Sequence, residues 1–496
     1  MDPRSETHTP IKLRRSTLAD LPAEVKTPRY RPEDLTPGIV HIGLGNFHRA
    51  HQAWYIHQLM QMGRANDWAI IGAGVRPYDA EMREKLMAQD CLTTLIELDP
   101  SGISAEVIAP MIDYLPIEEG NSALIRRMSD PAIRIVSLTV TEGGYYQDPN
   151  TGDFDTTHDD IQHDAQNPNQ PRTVFGALVA ALKHRRDAGT RPFTALSCDN
   201  LKGNGAILRS CVIGLAQLSD PDLADWIDQQ GAFPDSMVDC IVPVTRDQVI
   251  SMCHDLGVDD KAPVTHERFR QWVIEDAFCA GRPPLEEVGV TITNDVHTYE
   301  AMKLRILNGG HQLLANVGEV LSVPTIADCM KDPDLSGFFR KVQSECIVPH
   351  VKPVPGLTPT DYLTLIGRRF ANPTIQDTTR RVAFDGSSRH PEFLLPSLLD
   401  ALGEGASISG LALAEAFWCR MCAGIREDGT EIQANDPLWD ELKRAAIAAK
   451  DDPTAWIVKT GLYGQVGLNE HFVQEFSDWL SEIWQNGARA TLKRYL

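Results

Sequence analysis

Lys303, Asn308 and His311 place an amine, a carboxamide and an imidazole in one apolar helical pattern, Tyr299-Glu300-Ala301-Met302-Lys303-Leu304-Arg305-Ile306-Leu307-Asn308-Gly309-Gly310-His311. On a 3.6-residue period Asn308 falls about 140° and His311 about 80° around from Lys303, so all three can face one cleft. A lysine there works as a base once lost hydration lowers its pKa from about 10.4. The same spacing also suits a solvated lysine on an amphipathic helix, and the rest of the chain must decide between the two.

The elements that would position such a site begin near the N-terminus. Ile39-Val40-His41-Ile42 reads as a buried strand that stops at Gly43-Leu44-Gly45, and a helix follows. Asn46 can cap it, Ala53, Ile56, Leu59 and Met60 follow a helical period, and Gly63 is placed to end it. Trp68 to Val75 is a second strand. Strand, glycine turn, helix, strand is the opening of a doubly wound nucleotide-binding sheet. Gly43-x-Gly45-x-x-His48 has the dinucleotide fingerprint with histidine in place of the third glycine, and a close turn at a helix start suits a pyrophosphate. Asp79, just past Val75, could hold a ribose diol or be a solvated loop carboxylate, and Arg76 beside it could instead accept a 2′-phosphate.

Thr93 to Leu98 and Ala105 to Ile108 flank a turn and predict a hairpin appended to the sheet. Ile133 to Val140, ending in Thr141-Glu142-Gly143-Gly144, and Phe193 to Ser197, ending in Asp199-Asn200, read as further strands with polar carboxyl ends, where such sheets bind ligands. His48 and His51 have no third partner for a metal and are expected to bond to backbone or cofactor. Asp239 sits in an apolar stretch, either as a carboxylate near a cleft or as a cap or turn residue. Beyond about Gly289 long helical periods dominate, at Leu304 to Leu321, Leu394 to Leu402 and Leu411 to Cys422, with Pro349 to Pro359 as a stiff connector.

The 496 residues are 42% hydrophobic, enough for two domains or three, and the change of pattern near Gly289 divides the chain into 1–288 and 289–496. A net charge of -21 disfavours nucleic acid and anionic membranes, which need clustered cations. The ten cysteines are scattered in apolar runs, and the lone C-x2-C, Cys419 and Cys422, reads as helix packing. With no signal-peptide pattern and no membrane-length apolar run, a cytoplasmic protein is expected.

Four segments in order, Ile42 to His51, Ser137 to Tyr145, Ser197 to Asn200, and Met302 to His311, give the chain its resemblance to the polyol-specific long-chain dehydrogenase/reductase family, which includes mannitol 2-dehydrogenase, D-arabinitol 4-dehydrogenase and fructuronate reductase. The resemblance implies an α/β fold: an N-terminal Rossmann-type doubly wound sheet followed by a mostly α-helical domain. It implies metal-independent, NAD-dependent interconversion of D-mannitol and D-fructose, with uronate reduction or arabinitol oxidation as alternatives and NADP as the lesser cofactor. Lys303 would be the general base, Asn200 and Asn308 would bind the reacting oxygen, His311 would place substrate or lysine, and Glu300 would relay the proton. Asp239, Arg381 and Arg389 would contact substrate. Gly43, Gly45, Asn46, Phe47, His48, Arg49, Asp79, Thr141 and Glu142 would form the cofactor site. Partners would be a small polyol or ketose, with no nucleic acid, membrane or metal, and the chain is expected to be a monomer, with a homo-oligomer left open. Two departures touch substrate choice: Cys240 replaces the family's arginine after Asp239, and Arg389 stands where mannitol-type members carry lysine.

Overall fold

The computed structural model describes residues 9–148 and 151–496. The chain forms two compact units, Met1–His297 and Thr298–Leu496.

The first unit is built on a five-stranded sheet, all parallel, in the spatial order Met111–Tyr114, Ala69–Ala73, Pro37–Ile42, Ile135–Leu138, Thr194–Ser197. Numbered along the chain this is 3-2-1-4-5, a Rossmann-type doubly wound sheet. The order reverses between Pro37–Ile42 and Ile135–Leu138, and the crevice at that point is where such sheets hold ligands. Alternation of side chains sends Val40 and Ile42 to one face, against the helices Ser122–Ser129, Val174–Asp187 and Asn204–Ser219. Ile39 points to the other face, where Gln52–Gln61 packs. Both faces are covered, so these strands read as continuous apolar runs.

Thr93–Asp99 and Gly102–Ile108 do pair as an antiparallel hairpin, but in a separate four-stranded sheet with Val264–Glu267 and Val25–Lys26, not on the central one. A three-stranded sheet sets Ser236–Asp239 antiparallel to Gln271–Glu275, which pairs in parallel with Thr291–Thr293. The short strands Met111–Tyr114, Ser236–Asp239 and Gln271–Glu275 carry little periodicity of their own and depend on their neighbours for pairing. Thr291–Thr293 is a short strand just beyond Gly289, before the mainly helical part of the chain begins.

The glycine turn also departs from the sequence reading. Gly45, not Asn46, is the N-cap, and the helix breaks at His51 into Asn46–Ala50 and Gln52–Gln61. Asn46 instead reaches Pro243 O at 3.2 Å and Thr245 Oγ1 at 2.9 Å, tying the turn to a distant loop.

The second unit is helical. The helical segments Val296–Met302, Lys303–Asn308 and Gly309–Val320 follow one another without a break, and the middle one is π-helical. The Pro349 to Pro359 stretch is no straight spacer: Val354 and Leu357 bridge across Pro355-Gly356, with Gly356 at φ 76°, before the helix Pro359–Phe370 begins. Cys419 and Cys422 are buried in the helix Ser409–Cys422, and burial raises both thiols well above their ordinary pKa. None of the ten cysteines is in a disulfide. Among the described residues no helix is long and apolar enough to cross a membrane.

Candidate functional site

At the switch point Gly43 takes φ 92°, and a Cβ there would lie 2.1 Å from Thr139 O, so only glycine fits. Gly43 N–H donates to Ala73 O at 3.1 Å, Thr139 Oγ1–H donates to Gly43 O at 2.6 Å, and the two neighbouring strands thus pin the turn. A Cβ on Gly45 would meet nothing within 4 Å, so bare backbone faces open space there. That space belongs to a cavity of about 420 Å³ whose lining includes Gly43, Gly45, Asp79 and Thr141. Asp79 Oδ2 accepts from the backbone N–H of Val75 and of Arg76, each at 3.0 Å, which fixes the carboxylate at the cavity wall.

His48 and Arg49 turn inward and do not line this cavity. His48 stacks on His41 with ring centroids 3.4 Å apart, and burial holds its pKa well below the ordinary imidazole value. Arg49 donates to Ala262 O, to Asn46 Oδ1 at 2.7 Å and to Gly45 O at 3.3 Å, and burial lowers it to about 10. Both side chains brace the turn from behind. Asn46 faces Thr245, Phe47 stacks on His51 at 4.9 Å, and neither lines the cavity. His51 bonds the backbone, through Gln271 O at 2.8 Å. The side chain of Glu142 lies outside the described residues.

Asp199 organises the carboxyl ends of the fourth and fifth strands. Its carboxylate accepts from Val140 N–H at 3.1 Å, Thr141 N–H at 2.8 Å and Tyr145 Oη–H at 2.7 Å. Thr141 sits at φ 69°, ψ 161°, a costly conformation for a β-branched residue that the Asp199 bonds sustain. Asn200 follows directly and is exposed. Asp239 is buried at the end of the strand Ser236–Asp239, so it is neither a helix cap nor a turn residue.

In the second unit Lys303 is 7% exposed and Glu300, one turn earlier, 6%. The π turn changes their geometry. A ring closed from residue i to i+5 winds at about 80° per residue, so Asn308 comes within about 40° of Lys303 where an α-helix would leave about 140°. Three further α-helical residues bring His311 to about 20° on the other side. On that winding the three positions fall on one face of the helix.

His311 stacks on Phe370 with ring centroids 4.2 Å apart, and its buried Nε2 has no hydrogen-bond partner in the protein. Burial lowers its pKa to about 4, with Asp377 opposing and Arg381, Arg369 and Arg389 reinforcing the shift, so the ring is neutral near pH 7. Arg381 holds Asp377 with both arms, Nε to Oδ1 and Nη2 to Oδ2 at 2.7 Å each, while Arg389 Nη1 donates to Val382 O at 2.9 Å. Arg369 and Asp377 were not among the residues singled out from sequence. Arg369, buried in Pro359–Phe370, and Asp377, just before the helix Thr379–Val382, show no motif, and only the fold brings their charges to bear on His311. Among the described residues no group of three or more His, Cys, Asp or Glu side chains is arranged to hold a metal ion.

Comparison with known proteins extends over both units. The mannitol dehydrogenase Rossmann domain matches residues 37–287 and the mannitol dehydrogenase C-terminal domain residues 295–484. A mannitol 2-dehydrogenase of Cereibacter sphaeroides is 53% identical over 472 residues, covering 95% of this chain and 99% of that protein. One of Phaeosphaeria nodorum is 39% identical over 498 residues, covering 99% and 87%. Among solved structures, Pseudomonas fluorescens mannitol 2-dehydrogenase in ternary complex with NAD and D-mannitol is similar with TM-score 0.88 at 38% identity, covering 98% of this chain and 99% of that one. A D-sorbitol dehydrogenase in substrate-free form gives TM-score 0.89 at 35% identity, covering 97% and 100%.

Proposed function

Because the chain belongs to the mannitol dehydrogenase family of oxidoreductases, we propose that it interconverts D-mannitol and D-fructose with NAD as coenzyme, by proton transfer to Lys303 and without a metal. The observation that carries this reading is the buried Lys303 on a helix whose π turn brings Asn308 and His311 to its face. The cavity at Gly43 and Gly45 suits the coenzyme: bare backbone at Gly45 can approach a pyrophosphate, and Asp79 Oδ1 can accept from a ribose diol while a 2′-phosphate would meet its charge. NAD held there supplies the hydride acceptor.

The chain's own groups manage the proton and the oxygen. Neutral Lys303 accepts the proton of a secondary hydroxyl, and the Asn200 and Asn308 amides donate to the oxygen as negative charge builds on it, the arrangement with the largest electrostatic return. Glu300, one helical turn away, passes the proton onward. His311, held neutral by burial, offers Nε2 to a sugar hydroxyl, which would satisfy a nitrogen the protein leaves unpartnered. Asp239, Arg381 and Arg389 complete the substrate contacts. We further infer a monomer working in the reducing cytoplasm, in keeping with ten cysteines outside any disulfide.

A second reading, reduction of a hexuronate such as fructuronate, is favoured by the three guanidinium groups acting on His311. Against it, both arms of Arg381 are already committed to Asp377, leaving that fork less able to clamp a carboxylate. Initial rates for D-mannitol, D-sorbitol, D-arabinitol, D-fructose and fructuronate, each with both coenzymes, decide the matter. D-Mannitol with NAD is expected to give the highest kcat/KM among the polyols, and fructuronate reduction more efficient than fructose reduction would overturn the proposal.

A further inference from the structure

Gln343 is fully buried, lies far from Lys303 in sequence and has no part in the chemistry above. Its Nε2–H donates to Ile306 O at 2.8 Å, inside the π turn Lys303–Asn308. A π turn disturbs the regular ladder, and here Gly309 N–H is shared between Leu304 O, five residues back, and Ile306 O, three back. In an unbroken α-helix Ile306 O would take Gly310 N–H instead, and Asn308 would swing away from Lys303. The approach is possible because residue 310 is glycine: a Cβ there would lie 2.8 Å from Gln343 Nε2 and 2.8 Å from Phe339 Cε2.

Only half of the amide is satisfied: Gln343 Oε1 is buried with no hydrogen-bond partner, which is unfavourable. A methionine of similar length would fill the space without that cost. We propose that Gln343 is a positioning residue, whose side-chain N–H holds the π turn and so keeps the Lys303 amine, the Asn308 amide and the His311 ring on one face. This deepens the lysine-base reading and rests on it for its catalytic consequence.

The test compares full-length wild type, Gln343→Met, Gln343→Glu and Lys303→Ala in D-mannitol oxidation with NAD from pH 6 to 10. Gln343→Met is expected to lower kcat by about tenfold or more and to move the pH of half-maximal kcat, with KM for NAD within about twofold of wild type and thermal stability unchanged or raised. Gln343→Glu keeps the volume if the methionine variant fails to fold. Its protonated carboxyl can donate to Ile306 O and its ionised form cannot, so its activity relative to wild type falls as pH rises. Hydrogen exchange in the 303–311 segment of either variant is expected to rise by about tenfold while the 37–50 segment is unaffected. Wild-type kcat and pH profile in both variants, or unchanged exchange in 303–311, would overturn the inference. Near-normal turnover by Lys303→Ala would instead sink the lysine reading, and the exchange result would still decide whether Gln343 holds the turn.

Discussion

On the proposed reading, the chemistry at Lys303 turns on hydration. An ordinary lysine is protonated at neutral pH and cannot accept a proton, so burial to 7% exposure is the feature that could make this one a base. Lys303→Ala is expected to lower kcat for D-mannitol oxidation by about a thousandfold while NADH still binds, as stopped-flow turnover and fluorescence titration will read. Oxidation by the wild type is expected to rise with pH as the amine loses its proton, and a flat profile would contradict that role. Asp79→Ala is expected to raise KM for NAD by about tenfold and to narrow the preference over NADP, measured with both coenzymes side by side. Lys303, Asn308 and His311 could be picked out from sequence because they share one helix, where spacing is geometry. Arg369 and Asp377 could not, since nothing near them in the chain signals His311.

Two short elements set the geometry of the candidate site, and they were legible to different degrees. The Gly43-x-Gly45 turn was evident because a strand, two glycines and a helical period are local facts, although Asn46 proved to tie the turn to Thr245 and not to cap the helix. At the ends of the next strands, Asp199→Asn turns one of the two carboxylate oxygens into an NH2 group, so the bonds from Val140 N–H, Thr141 N–H and Tyr145 Oη–H cannot all be kept. With the strained Thr141 backbone released, coenzyme affinity is expected to fall by about tenfold or more and unfolding to shift to lower temperature, read by NADH titration and calorimetry. The π turn was not legible at all. Read as α-helix, the segment spreads Lys303 and Asn308 about 140° apart, and the donor that sustains the wider winding comes from Gln343, a residue remote in sequence.

For the whole molecule, buried neutral histidines set an acid limit. His41 and His266 are lowered by burial to about 3 and His311 to about 4, whereas unfolded they would titrate near 6.5. Between those values the unfolded chain binds protons that the folded chain refuses. Stability is therefore intact above about pH 6.5 and falls with decreasing pH by up to about 1.4 kcal/mol per pH unit for each such ring. Urea midpoints at pH 7, 6, 5 and 4 are expected to drop steadily, and a constant midpoint across that range would contradict the burial of these rings as neutral species. By itself the sequence determined what depends on neighbours along the chain: apolar strands with polar carboxyl ends, the glycine turn, the helical second half, and motifs distinctive enough to place the family. Tertiary structure alone decided what depends on contacts between distant residues: the hairpin's sheet, the inward turn of His48 and Arg49, the hold of Arg381 on Asp377, and the π winding beside Gln343. The reason is physical, for local periodicity specifies which face is buried, while the partner that satisfies a buried polar group or carbonyl is supplied only when the chain packs on itself.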